Sequence, residues 1–339
     1  MSRPALVWAG DLVTERAWLV DATRQQTVAQ VSGRVDGWQS APDILSRGYT
    51  DDTLWLRLQV MVPRAGDALV VRVRPSFLDR VTVYLPDPAR PGTWLARETG
   101  DTLPSDTRDR ASAALAVVWQ PGRAGLQTVY LQVRTTSSQM IAVQVLSPRD
   151  AQRLDHQLDL FLITYLSVML AMGLWGLFDH VQQPHPLNWW FMATQTNAVL
   201  FALSVLGYMA VLLPSGLSAV GHDLTSVTVC LSTMLHLGFY RAALAENQPS
   251  VWSRRVVSWA MALCPVQLAL ILLGDTRLAV ESNALVATVI AMPLLLWMVA
   301  SSAQNGLLSR RIWWAVSLAQ LALTVLALLP LLGWRSATH

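Results

Sequence analysis

The chain contains no lysine: all 25 of its basic residues are arginine. Cysteine is almost as scarce. Only Cys230 and Cys264 occur in 339 residues, and both sit in apolar stretches. Everything before them must fold without a disulfide or a thiolate zinc site. The two thiols themselves read as small buried apolar side chains. A net charge of +3 with no dense basic stripe argues against a nucleic-acid partner. Also missing are GxxxxGK(S/T), HExxH, GxSxG, paired-cysteine motifs and any kinase or cyclase signature. No catalysis, cofactor or metal is therefore expected from these residues. The opening segment MSRPALVWAGDLVTER lacks the apolar core of about 7–15 residues and the cleavage site of a signal peptide.

What is present is divided sharply in two. Of the 25 arginines, 18 lie in residues 1–156, and the last seven are spread thinly beyond. The hydrophobic fraction is 53% and the mean hydropathy +0.37, and the excess is concentrated after about Gln157. A charged, strand-like module at 1–153 is thus followed by an apolar, helical module at 154–339.

In the first module short apolar segments recur between turn residues. The spacing predicts strands at 17–20, 54–62, 68–74, 80–85, 93–98, 113–119, 128–134 and 141–146. Leu54, Leu56, Leu58, Val60 and Val62 alternate with Trp55, Arg57, Gln59 and Met61. Period two with one wet face means antiparallel pairing. Pro63-Arg64-Ala65-Gly66, Pro86-Asp87-Pro88, Pro91-Gly92 and Pro121-Gly122 supply the turns. With no helix-period segment visible, the expected fold is an all-β jelly-roll sandwich.

An ordered set of short motifs runs through this module: Leu54-Trp55-Leu56-Arg57, Phe77-Leu78-Asp79-Arg80-Val81 with Tyr84, Gly100-Asp101 with Arg108, and Tyr130-Leu131-Gln132-Val133. In order and spacing they resemble the periplasmic sensor domain of bacterial seven-transmembrane receptors with diverse intracellular signalling modules. The resemblance covers roughly residues 38–153. One departure is Gln132, where the family usually carries arginine. The resemblance implies a jelly roll similar to carbohydrate-binding modules, a seventh span, and a cytoplasmic effector.

The second module shows six stretches near the ~20 apolar residues that a helix needs to cross a bilayer, at 158–178, 187–212, 224–240, 256–273, 279–300 and 312–332. Nine of the fifteen tryptophans fall here, many near span ends, as an interfacial belt requires. With the β-module outside, the inner loops hold Arg241, Arg254, Arg255, Arg310 and Arg311, and the outer segments only Arg277 and Arg335. That bias places the β-module in the periplasm and the helices in the bacterial inner membrane. Six spans would end the chain outside. An exported domain without a visible signal, and a receptor without an effector, both point to an expectation of truncation.

Candidate ligand residues are Trp38 and Trp94, whose rings suit the CH-rich face of a sugar, with Asp79, Arg80, Asp101 and Arg108 to fix its hydroxyls. Trp119 is a third possible platform. Among the spans, His236, Gln195, Asn197 and Gln267 read as interhelical hydrogen-bonding groups, and Pro265 and Pro293 as kinks. The function expected is a sensory receptor. Its β-sandwich binds a periplasmic small molecule, glycan or partner protein and biases the helices toward a cytoplasmic effector, with a homodimer plausible. The alternatives are a membrane-anchored carbohydrate-binding or assembly protein without signalling output, and a transporter. The scarcity of acids within the spans, chiefly Asp159 and Glu281 near ends, opposes the transporter.

Overall fold

In the computed structural model, the described residues are 10–48, 50, 52–103, 109–110, 112–135, 139–213, 218–245, 250–301, 314–315, 318–319 and 322. They fall into two compact units. One holds the described residues of 1–160 and 204–222; the other holds those of 161–203 and 223–329.

Among its described residues the first unit contains ten strands: β1 (Val13–Asp21), β2 (Gln39–Ser40), β3 (Leu45–Ser46), β4 (Thr53–Val62), β5 (Leu69–Arg74), β6 (Arg80–Pro86), β7 (Trp94–Thr99), β8 (Leu115–Trp119), β9 (Gly125–Arg134) and β10 (Met140–Leu146). They form two antiparallel sheets, ordered β2-β1-β4-β9-β6-β7 and β3-β10-β5-β8. The alternation read in the sequence decides which side of each strand is buried. Leu54, Leu56, Leu58, Val60 and Val62 of β4 meet Val71 and Val73 of β5 and Val143 and Val145 of β10 in one core between the sheets. Trp119 is part of that core and 3% exposed, so it is not a ligand platform.

The eight strands expected from the alternation are all present. The two-residue strands β2 and β3 are additions too short to carry a period. So is a helix, α1 (Val28–Ser32), which the expectation of an all-β module omitted. Thr27 and Gln30 supply its start, with the Thr27 N–H donating to Gln30 Oε1 at 2.9 Å. Five residues are less than two turns, below what periodicity reveals.

The helices that follow are α2 (Pro148–Gln182), α3 (Pro186–Val205), α4 (Tyr208–Leu212), α5 (Ser218–Ala243), α6 (Val251–Leu272), α7 (Thr276–Leu285) and α8 (Met292–Ser301), with a π-helical stretch, Val286–Ala291, between the last two. Among the described residues three helical segments are long and apolar enough to cross a membrane: Pro148–Gln182, Val251–Leu272 and Thr276–Ala300. This corrects the expected six. The spans expected at 187–212 and 224–240 are helical but too polar to qualify, and the first is broken at Gly207. Most of the sixth, at 312–332, lies outside the described residues, as do Arg310, Arg311 and Arg335.

The polar side chains of α3 and α5 are largely spoken for. In the second unit Asn197 of α3 donates to Thr228 O (3.1 Å) and Ser232 Oγ (2.8 Å) of α5. Asn283 of α7 donates to Val229 O at 3.3 Å. Cys264 of α6 approaches Cys230 O at 3.6 Å. Three helices are thus tied to one turn-and-a-half of α5. His236 differs from expectation: its Nδ1 meets Ser232 O at 2.7 Å within its own helix. Gly238 lets the Trp190 ring lie directly on α5; a β-carbon there would stand 2.2 Å from the ring.

Candidate functional site

The six-stranded sheet has an outer face opposite the core, and the strand register decides what it displays. Arg57 of β4 pairs with Tyr130 of β9, and Tyr130 with Tyr84 of β6. One step along, Trp55 pairs with Gln132, and Gln132 with Thr82. Neighbours across antiparallel strands stand about 5 Å apart, so these side chains form a continuous aromatic and polar surface.

Two tryptophans complete it from the edges. Trp94 opens β7, beside Pro86, and its ring meets Tyr130 edge-on at 4.8 Å. Trp38 lies just before β2 on the opposite side of the sheet, with its ring 6.0 Å from Tyr130. The Arg57 guanidinium sits over Trp38 at 4.8 Å, a cation–π contact. Trp38 Nε1 donates to Arg34 O at 3.2 Å, which fixes the ring. Beneath them Trp55 is fully buried and stacks on Tyr84 at 5.5 Å, covered on one side by Val31 of α1. Trp38, Arg57, Tyr84 and Trp94 remain half-buried. The result is a shelf of partly exposed rings with a cation beside it.

Its phenols stay protonated near neutrality. Burial pushes the Tyr130 hydroxyl up from its ordinary value, with Arg57 opposing. Burial does the same at Tyr84, where Arg134 opposes and Glu98 adds. Tyr84 donates to Gln132 Oε1 at 3.5 Å, a long bond that leaves the amide able to serve another partner. A flat, CH-rich molecule with hydroxyls suits this chemistry: rings for its faces, and phenol, amide and guanidinium for its rim.

Of the six residues singled out by sequence, the structure brings Trp38 and Trp94 together around Tyr130. It places Asp79, Arg80 and Asp101 at the other end of the β6–β7 hairpin, about 17 Å away at the rise of an antiparallel strand. There they serve the chain itself. Thr135 Oγ1 donates to Asp79 Oδ1 at 3.1 Å, the Asp101 N–H donates to Leu78 O at 3.0 Å, and Thr102 Oγ1 donates to Asp79 O at 2.6 Å. Arg80 is exposed and pairs in register with Arg134. Arg108 lies outside the described residues. Arg57, Tyr84 and Tyr130 stood in the sequence motifs but were not among the ligand candidates. For the two tyrosines the signal was available: each occupies the polar phase of an alternating strand, where a large aromatic ring is out of place.

Residues 14–147 match the family described as 7TMR-DISM extracellular 2. The sandwich is therefore of the type carried outside the membrane by seven-transmembrane receptors with diverse intracellular signalling modules. The match spans β1 to β10 and stops where α2 begins. A comparison with curated proteins gave no match. The extracellular-type domain followed by apolar helices makes this a membrane protein with its N-terminal domain outside. Among the described residues no group of three or more His, Cys, Asp or Glu side chains is placed to hold a metal ion.

Proposed function

We propose that this protein is a bacterial inner-membrane sensory receptor. Its sandwich, read as a jelly roll, takes a glycan on the shelf formed by Trp38, Arg57, Tyr84, Trp94 and Tyr130, and its helices pass the event to a cytoplasmic effector. The observation that carries the reading is the match of residues 14–147 to an extracellular receptor domain joined directly to apolar helices. The shelf supplies the ligand class. In this reading the chain binds and transmits, and catalysis belongs to the effector.

The topology of the first unit supports the reading. The described residues of 204–222, between α3 and the body of α5, belong to the same compact unit as the sandwich. In this reading α3 carries the chain back toward the sandwich, and its Asn197 bonds to α5 rather than facing lipid.

The test uses the full chain in detergent. A panel of immobilised periplasmic glycans is probed with the natural protein and with a Trp38→Ala/Trp94→Ala variant, and hydrogen exchange of α2 is followed with the best binder. Binding lost in the variant, with altered exchange in α2, supports a glycan receptor. Binding without any change in α2 favours a membrane-anchored carbohydrate-binding protein. No glycan bound by the natural protein removes the glycan from the proposal.

A further inference from the structure

A second polar site lies on the opposite side of the sandwich, where α2 leaves it. Arg72 stands in the middle of β5, and its neighbours Val71 and Val73 point into the core. Arg72 therefore points outward, beneath the first turns of α2, and is 2% exposed. Its Nη2 donates to Asp155 Oδ1 at 3.3 Å, while Arg110 Nη2 donates to Asp155 Oδ2 at 3.0 Å. Two guanidinium groups share one carboxylate, so the triad carries a surplus positive charge in a largely dry place. Arg72 Nε and Nη1 are buried with no partner in the protein. A buried charge surplus is costly unless an opposite charge meets it.

One helical turn further along α2, Asp159 accepts a hydrogen bond from the Tyr208 hydroxyl of α4. The backbone holding that tyrosine is built for close approach. Gly207 has φ +85°, and a β-carbon on it would lie 2.3 Å from Ala113 O. A cavity of about 410 Å³ opens among Arg110, Asp155, His156, Asp159 and Tyr208, with Leu158 among its apolar walls. All of these residues belong to the first unit. The charges along it are segregated: Arg110 and Asp155 line one end, with Arg72 buried behind Asp155, and the Asp159 carboxylate lies four residues on from Asp155.

The geometry points to a binding site for a small zwitterion, with its anionic group against Arg110 and its primary ammonium against Asp159, which stands about 6 Å along one helix face from Asp155, the carboxylate that holds Arg110. A simple anion would answer only one end and be repelled by the other. The same chemistry comes from two sources: a free amino compound such as phosphoethanolamine, or the head group of phosphatidylethanolamine. The site lies on a different sheet from the aromatic shelf and does not rest on the glycan reading.

Isothermal titration of the full chain in lipid-free detergent with O-phosphoethanolamine tests it. The expected result is saturable binding, weakened at least tenfold in Arg110→Gln and in Asp159→Asn and unchanged in Trp94→Ala. Tyr208→Phe, which keeps the cavity's shape, weakens it less, and thermal melts identify any variant that fails to fold. Titration is then repeated in nanodiscs. Weaker apparent affinity in phosphatidylethanolamine than in phosphatidylglycerol discs assigns the site to the lipid head group, and equal affinity assigns it to a soluble zwitterion. Absence of saturable binding, binding that survives both charge substitutions, or inorganic phosphate binding as tightly would overturn the proposal. Loss of glycan binding with this binding intact, or the reverse, separates the fate of the two sites.

Discussion

At the scale of single residues, the sandwich rests on polar groups that answer the backbone. Asp21 is 1% exposed at the end of β1, where its carboxylate accepts from the N–H groups of Thr23, Arg24 and Gln26 at 2.9–3.1 Å and from the Thr23 hydroxyl. Burial works against its ionisation, but the hydrogen bonds from Thr23, Gln26 and Arg24 together hold it below the usual carboxylate range. The stability it contributes is therefore present above the unfolded value of about 3.9 and lost as pH falls through its lower folded value. Asp21→Ala strands three N–H groups and should cost about 2 kcal/mol, read as a lowered melting temperature at pH 7. The same variant should lose less stability than the natural protein between pH 4 and lower pH. At the shelf, Trp94→Ala removes a half-buried ring from Tyr130. It should weaken glycan affinity by about 2 kcal/mol, roughly thirtyfold, while leaving the melting temperature nearly unchanged.

At the scale of elements, the π-helical stretch Val286–Ala291 has a visible cause. Pro293 lacks an N–H, and in a regular α-helix its ring would press on the carbonyl four residues back, at Val289. Widening the turn before it moves that carbonyl aside. Pro265, also read as a kink, lies inside α6, which continues as an α-helix from Val251 to Leu272. Proline in a helix interior costs about 3 kcal/mol, so Pro293→Ala should slow hydrogen exchange across 286–291 and raise the melting temperature. Asn197 is the second element-scale device. Asn197→Ala removes both bonds from α3 to α5 and should destabilise their packing by about 1 kcal/mol, measurable as earlier helix loss in a denaturant titration.

At the scale of the molecule, the prediction is one of sidedness. Gly66 is in an exposed turn of the sandwich, and Gln183 follows the last residue of α2. An impermeant maleimide should label Gly66→Cys in spheroplasts and Gln183→Cys only after permeabilisation. Native Cys230 and Cys264 are buried and should contribute little background. Equal labelling of both sites would sink the assigned topology.

Strand periodicity, turn chemistry and apolar length are local properties, and they are written where they act. For that reason the eight longer strands and the membrane character were legible in the residues themselves. The number of crossing helices was less so, because a helix may spend polar side chains on its neighbours, as α3 does on α5, and composition does not say which way they point. The ligand face was half legible. Trp38 and Trp94 stand 56 positions apart, and only the order β1-β4-β9-β6-β7 carries them to a common Tyr130. The same order removes Asp79 and Asp101 to the far end of a hairpin, although Asp79 is nearer to Trp94 in the chain than Trp38 is. The joining of Arg72, Arg110 and Asp155 left no local trace at all, since each alone reads as an ordinary surface charge. Burial and periodicity follow from the residues; which distant side chains share a site is decided by strand order and helix docking, because those alone convert separation along the chain into distance.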